Sequence, residues 1–198
     1  MKYVHSIWNT SSNGSYFNKE VDNNFAVKNF NTYLLSALLI KMHGYEIDLY
    51  CDEHSYELYK KIPYSNIHVV DFKNKNISPN FWVWGKIKVQ SLINEPYVHI
   101  DGDVFLFNDI IKDNLTNVNY TSAVQCLESR ITIGEENYIN LYENTYKSIK
   151  LLDICNKHDL NKYDVNAYNC GVVGFSDMKL RDKYVDLATR LLEEMSLN

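Results

Sequence analysis

Strand-like and helical stretches alternate from the start of this chain, and that alternation restricts its fold more than any other feature. KYVHSIW at 2–8, YEIDLYC at 45–51 and NIHVVDF at 66–72 read as strands. Between them lie FNTYLLSALLIKMHG, with Phe30, Tyr33, Leu34, Ala37, Leu38 and Lys41 at helical spacing and Gly44 as a stop, and the short helical HSYELYKKI. A β-α-β-α-β opening predicts an α/β domain with a mostly parallel sheet and helices on both faces. Farther on, ISPNFWVWGKIKVQSLINE predicts a helix starting at Ser78 before Pro79, and the apolar YVHI at 97–100 predicts a central strand covered on both faces. VFLFNDI and TSAVQCL read as strands, 135–157 as a long helix and YNCGVVGF as a last strand. DMKLRDKYVDLATRLLEEM then reads as an amphipathic helix with Leu180, Tyr184, Leu187, Leu191 and Met195 on its apolar side. Neither a repeat nor a linker interrupts residues 1–198, which read as one domain.

Composition removes several functional classes. A chain 45% hydrophobic, with 16 Tyr, 8 Phe and 3 Trp, is not disordered and has rings to spare for a cleft. The net charge of -5 and the scatter of 20 basic residues argue against a nucleic-acid partner. Cys51, Cys126, Cys155 and Cys170 form no C-x-x-C pair, so no zinc or redox motif is indicated, and their apolar settings suggest buried thiols in a reducing compartment. No window is apolar enough for a signal peptide or a transmembrane segment, and the expectation is a cytoplasmic protein.

YVHI leads into DGDVFLF, two aspartates around one glycine at the end of the most apolar run. With 14 aspartates in the chain, chance alone yields about one D-x-D, so the spacing says little and the context must carry the inference. Read as an extended segment, Asp101 and Asp103 point to the same side and repel by roughly 3 kcal/mol at about 6 Å unless a cation lies between them. The carboxyl end of a parallel strand is where α/β sheets bind ligands, and Gly102 allows a backbone path that a side chain would obstruct. Carboxylate oxygens suit Mg²⁺ or Mn²⁺, with water and phosphate oxygens completing the shell. The competing reading is a pair of solvated turn acids.

YVHIDGDVFLF resembles the apolar-strand D-x-D of nucleotide-sugar glycosyltransferases with the GT-A (Rossmann-like) fold, and other segments resemble that pattern in the same order. FWVWGKIKVQSL is similar to a helix that presents a basic residue to the donor site, which makes Lys86 the matching position. AYNCGVVGF is similar to the segment bringing an Asn and a Gly to the sugar pocket, here Asn169 and Gly171, and VHSIW to the first strand, whose end meets the nucleotide base, here His5 and Trp8. The resemblance implies transfer of a sugar from a nucleoside-diphosphate sugar, a UDP-sugar first of all, to a carbohydrate acceptor hydroxyl. It also implies Mn²⁺ or Mg²⁺ as cofactor, Asp101 on the ribose or on a metal-bound water, and Asp103 on the metal. Many relatives carry a third metal ligand beyond the last strand; here His158 and Asp177 are the nearest substitutes before the chain ends at SLN.

Residue by residue, bland alternatives stay open. Lys86 also fits an exposed helix face, Trp82 and Trp84 fit a core as well as an acceptor groove, and His5 and Trp8 fit a core strand. Glu128, after AVQCL, is either the acid acting on the acceptor or a surface carboxylate. Two other functions share the motif. A haloacid-dehalogenase-like phosphatase would use Asp101 as nucleophile, with Asp177 and Asp182 as its downstream acids. A catalytically inactive nucleotide- or sugar-binding module would keep the cleft without the chemistry.

Overall fold

The computed structural model describes residues 2–8, 23–79, 81–108, 124–127 and 168–197, except for the side chains at 23–27, 124–127 and 168–170. In chain order the elements are β1 (Lys2–Ile7), α1 (Asn23–Met42), β2 (Ile47–Cys51), α2 (Glu53–Tyr59), β3 (Asn66–Val69), α3 (Trp84–Leu92) and β4 (Tyr97–Ile100). They are followed by β5 (Val124–Leu127), β6 (Tyr168–Phe175) and α4 (Met178–Leu197). One sheet holds all six strands in the order β3-β2-β1-β4-β6-β5. β1 is parallel to β2 and β4, and β2 to β3, whereas β6 runs against both β4 and β5. The α/β class with a mostly parallel sheet is therefore the fold observed.

Successive residues of a strand face opposite sides, and the two faces are covered differently. Tyr3 and Ile7 of β1 and Val98 and Ile100 of β4 pack with Ala37 and Ile40 of α1 and Tyr59 of α2. Val4 and Tyr97 look the other way, toward Val89 of α3, Phe175 and Tyr184 of α4. YVHI is buried at all four positions, as a strand between β1 and β6 must be. α1 stops where expected: Gly44 takes φ of 81°, its N–H bonds Lys41 O at 2.9 Å and the Tyr45 N–H bonds Ile40 O at 3.3 Å.

Three expectations fail for identifiable reasons. α3 begins at Trp84, not at Ser78, because the preceding residues form tight turns; Phe81, Trp84 and Gly85 N–H groups bond the carbonyls three residues back. Residues 104–107 form no strand. Two of their carbonyls are taken by side chains, Val104 O by the Ser36 hydroxyl of α1 at 2.7 Å and Leu106 O by Nε2 of His43, just after α1, at 3.0 Å. On α4 the packed side is Tyr184, Val185, Ala188 and Leu192, while Leu180 is 39% exposed. The helix expected at 135–157 lies outside the described residues.

α4 docks on α3 through a buried cation. Arg181 is 5% exposed and its guanidinium donates to the Gln90 and Ile93 carbonyls at the end of α3, with Nε on Asp182 at 2.8 Å. One terminal nitrogen serves both carbonyls while Nε holds Asp182, an arrangement that the rigid guanidinium plane fixes and a single ammonium nitrogen on a flexible stem cannot span. Arg181→Lys should therefore lower stability by about 1–2 kcal/mol in urea denaturation. An unchanged midpoint would mean that this clamp adds nothing.

Candidate active site

β1 and β4 are neighbours running the same way, so the ends of both open on one edge of the sheet. There a cleft of about 290 Å³ lies between the end of β1, the start of α3, α1 and the acid turn. Its lining includes Ser6 and Trp8, Trp82, Gly85 and Lys86, Thr32 and Tyr33, and all of Asp101, Gly102 and Asp103. That volume is at the lower end of ligand-sized clefts.

The acids sit on a turn, not on the extended segment expected. Asp101 N–H bonds Gly171 O at 2.8 Å, the last tie to β6, and Val104 N–H closes back on Asp101 O at 3.0 Å. By the pleat, Asp101 shares the α3 side of the sheet with His99 and Tyr97, and there Lys86 Nζ meets its Oδ2 at 2.6 Å. The Lys86 side chain is only 14% exposed and Asp101 28%, so this pair is partly withdrawn from water. Burial pushes the Asp101 carboxyl above the ordinary carboxylate value, the Lys86 ammonium pulls it down, and Asp103 pushes it up again. Asp103 is exposed at the rim.

Gly102 has a steric reason to be glycine. A Cβ there would stand 2.3 to 2.4 Å from three carbons of the Tyr33 ring, far inside contact distance. Tyr33 is itself held, its hydroxyl donating to Ser6 O at 3.1 Å and its ring edge-on to His5 and Tyr59. Gly85 plays a similar part beside Lys86: a Cβ would come 2.9 Å from Trp8 Cβ, so its absence lets α3 rest on Trp8. Both glycines thus line the cleft, each at a close approach to an aromatic side chain.

Along residues 1–198 the sequence matches the model of one protein family. The chain belongs to DUF6734, a family of unknown function. No curated protein matches the sequence significantly. Among solved structures, an active-site mutant of LgtC is similar over 92% of this chain and 59% of its own, with 13% identity and a TM-score of 0.47. The glycosyltransferase GlyE of Streptococcus pneumoniae TIGR4 is similar over 100% of this chain and 42% of its own, at 11% identity and a TM-score of 0.42. The galactosyltransferase LgtC with donor and acceptor sugar analogues gives 100%, 69%, 13% and 0.46 for the same quantities. The DUF6734 chain thus spans about three-fifths of the first of these proteins and two-fifths of the second.

In this DUF6734 chain the expected site residues separate into groups. Asp101, Asp103, Lys86 and Trp8 line the cleft together, and Trp8 also stacks on Phe72 at 5.9 Å. His5 does not line it. The pleat turns it to the opposite face from Ser6, where it is fully buried, with Nδ1 2.9 Å from the Tyr64 hydroxyl and Nε2 3.1 Å from Ser36 Oγ. Trp82 and Trp84 part company: Trp84 is core, its indole N–H on Phe72 O at 2.7 Å, while Trp82 is 68% exposed on the cleft with Lys86 Nζ 5.4 Å from its ring centre. Gly171 is buried and acts through its carbonyl, which anchors Asp101.

Strand direction decides the rest. Since β6 opposes β4, with Ile100 beside Val172 and Tyr97 beside Phe175, residue 169 extends past the acid end of β4, and Asp177 lies beyond the opposite end. Asn169 is therefore at the correct edge by its backbone, paired with Cys126. Asp177 caps α4 instead, its Oδ1 accepting from the N–H groups of Lys179 at 2.8 Å and Leu180 at 3.2 Å. It serves neither as a third metal ligand nor as a phosphatase acid, and Asp182 is engaged with Arg181 at that far end. Glu128 and His158 lie outside the described residues.

Sequence reasoning missed Ser6 and His99. They meet at 2.8 Å between Ser6 Oγ and His99 Nε2, and His99, only 1% exposed, sits two residues before Asp101 on the same face. The i, i+2 spacing was the available signal. As for a metal, two hard carboxylate donors on one turn fit Mg²⁺ or Mn²⁺, whose other positions go to water and phosphate. Among the described residues no cluster of three His, Cys, Asp or Glu side chains is assembled. No helix among them is long and apolar enough to cross a membrane.

Proposed function

We propose that this protein is a metal-dependent glycosyltransferase that takes a sugar from a nucleoside-diphosphate sugar, a UDP-sugar first of all, and passes it to a carbohydrate hydroxyl. One observation carries the reading: an acid turn and a lysine 2.6 Å from its first carboxylate open into the same cleft at the carboxyl edge of the parallel strands. Such an edge is where α/β sheets bind nucleotides. The resemblance of YVHIDGDVFLF, FWVWGKIKVQSL and AYNCGVVGF to the corresponding glycosyltransferase segments adds to it.

Cleaving the bond between sugar and diphosphate leaves negative charge on the departing phosphate oxygen. Asp103 and Asp101 would hold the divalent cation, which when bound supplies compensating positive charge. Lys86 adds an ammonium on the same wall. Trp8, packed against Gly85 at the end of β1, offers a ring for a nucleobase, and Trp82, exposed at the rim, offers one for a sugar. Gly102 keeps the turn against Tyr33 so that both carboxylates stay at the cleft. Asn169 and Glu128 are the proposed contacts to the transferred sugar and the acceptor. We further place the protein in the cytoplasm, where UDP-sugars are at hand.

Thermal unfolding with UDP, with Mn²⁺ and with both tests the reading. At a hundredfold excess over Kd, ligand binding stabilises by about 2.7 kcal/mol, a rise of roughly 5–10 °C for a chain of this size. Asp103→Ala should lose that rise while keeping the ligand-free melting temperature. An equal rise in the variant would sink the metal role of Asp103, and no rise in the unaltered protein would sink the nucleotide reading. Release of UDP from UDP-sugars over time then separates an enzyme from an inactive binding module.

A further inference from the structure

Lys86 poses an electrostatic problem for any cation at this site. Its Nζ stands 2.6 Å from Asp101 Oδ2, a direct ion pair, and the exposed Trp82 ring is centred 5.4 Å from the same ammonium. The lysine therefore occupies the position that neutralises Asp101, with its stem fixed on a helix that Trp84 and Arg181 hold in place. A divalent ion approaching Asp101 must displace this ammonium or share the carboxylate with it, against like-charge repulsion. The opposite holds for the nucleotide. Asp101, Asp103 and Lys86 together carry a charge of -1, which repels a diphosphate, and adding a divalent ion turns that sum to +1.

We propose that Lys86 is an internal rival of the divalent cation, neutralising Asp101 in the ligand-free chain and moving onto the diphosphate when the cation takes its place, so that cation and nucleotide bind cooperatively. This rests on the reading of the cleft as a nucleotide-diphosphate site. Coupling follows because the two ligands exchange partners within one set of charges: the cation frees Lys86 for the phosphates, and the phosphates stabilise Lys86 away from Asp101. By reciprocity each ligand must tighten the other by the same factor. Only a side chain has to move. Lysine, with a flexible four-carbon stem, suits that swing better than a planar guanidinium fork.

The signature is a pair of opposite effects from one substitution. Titration calorimetry would measure Mn²⁺ alone, and UDP at saturating Mn²⁺, on the unaltered protein and on Lys86→Gln. Mn²⁺ alone should bind about tenfold tighter to Lys86→Gln, and UDP with Mn²⁺ about tenfold weaker, since the variant loses both the rival and the phosphate contact. The factor by which UDP tightens Mn²⁺ should fall toward one. Lys86→Arg, which keeps the charge, should return the affinity for Mn²⁺ alone to that of the unaltered protein and guards against a merely misfolded Lys86→Gln. If the unaltered protein binds both ligands but Lys86→Gln binds Mn²⁺ no tighter, or more weakly, the rivalry is wrong while the nucleotide reading stands. If the unaltered protein and Lys86→Gln both fail to bind Mn²⁺ and UDP, the nucleotide reading falls and the rivalry with it.

Discussion

Urea unfolding of the ligand-free protein should show stability falling by about 4 kcal/mol between pH 7 and pH 5, roughly 2 kcal/mol from each of two histidines. His5 and His99 are both buried in the sheet, 0% and 1% exposed. Burial holds His5 down to about 3, and burial together with the Lys86 ammonium holds His99 well below the ordinary histidine value. The partners around each ring suit the neutral form as well. The Ser36 hydroxyl gives its hydrogen to Val104 O at 2.7 Å, so it accepts from His5 Nε2–H, and His5 Nδ1 accepts from the Tyr64 hydroxyl. His99 Nδ1 is buried with no partner among the described residues, so a proton there would have nowhere to donate.

The sign follows from the depressed folded values. Above about pH 6.5 both histidines are neutral in either state and the full stability is present. Below it the unfolded chain gains protons that the folded chain refuses, and about 1.4 kcal/mol is lost per histidine per pH unit, down toward the folded value of His5, which is about 3. Asp101 works in the opposite sense, because burial raises its carboxyl and the folded state binds that proton more tightly. Its contribution therefore works against the histidine loss as the pH falls. His5→Asn and His99→Asn should each halve the slope between pH 7 and pH 5. A flat profile, or slopes that neither substitution alters, would show that these rings titrate normally.

Gly102→Ala should be the most damaging small substitution at the cleft, costing about 1–3 kcal/mol of stability and most of the affinity for UDP with Mn²⁺. The added methyl would overlap the Tyr33 ring at 2.3 Å. A long, loose side chain would swing away, but Tyr33 is tied to Ser6 O and boxed in by His5 and Tyr59, so the acid turn yields instead. Moving that turn separates Asp101 from Lys86 and carries Asp103 off the rim. A double-mutant cycle isolates the cause. Combined with Tyr33→Leu, Gly102→Ala should cost much less than alone, leaving a coupling of about 1 kcal/mol or more. Additive losses would place the damage in the backbone rather than in the contact.

How much of this was legible in the sequence depends on how far each signal reaches along the chain. The strands at 2–7, 47–51, 97–100 and 168–175 and the end of α1 were readable because alternation, apolar runs and the Gly44 stop are local properties. Asp101 and Asp103 could be proposed from their place at the carboxyl end of an apolar strand, and Lys86 only from the resemblance of FWVWGKIKVQSL to a donor-site helix. His5 could not be separated from Trp8 without knowing which pleat faces α1, and that depends on register. Asp177 could reach a metal at the acid turn only if β6 ran parallel to β4, a direction the sequence does not fix; the observed antiparallel pairing sends that acid to the other end. The loss of the strand at 104–107 was equally hidden, because Ser36 and His43 take those carbonyls from far along the chain.

The clamp that Arg181 places on the end of α3 reaches into the cleft by leverage. α3 is nine residues long, about 13 Å from end to end, with Gly85 and Lys86 in its first turn and the carbonyls gripped by Arg181 at its last. A rigid rod pinned at the base cannot roll, and a roll of one residue would swing Lys86 by about 100° and take Gly85 off Trp8. The position of Lys86 at the cleft is thereby tied to a guanidinium at the far end of α3, so that substitutions on α4 that shift Arg181 should move the cleft wall without altering a residue inside it.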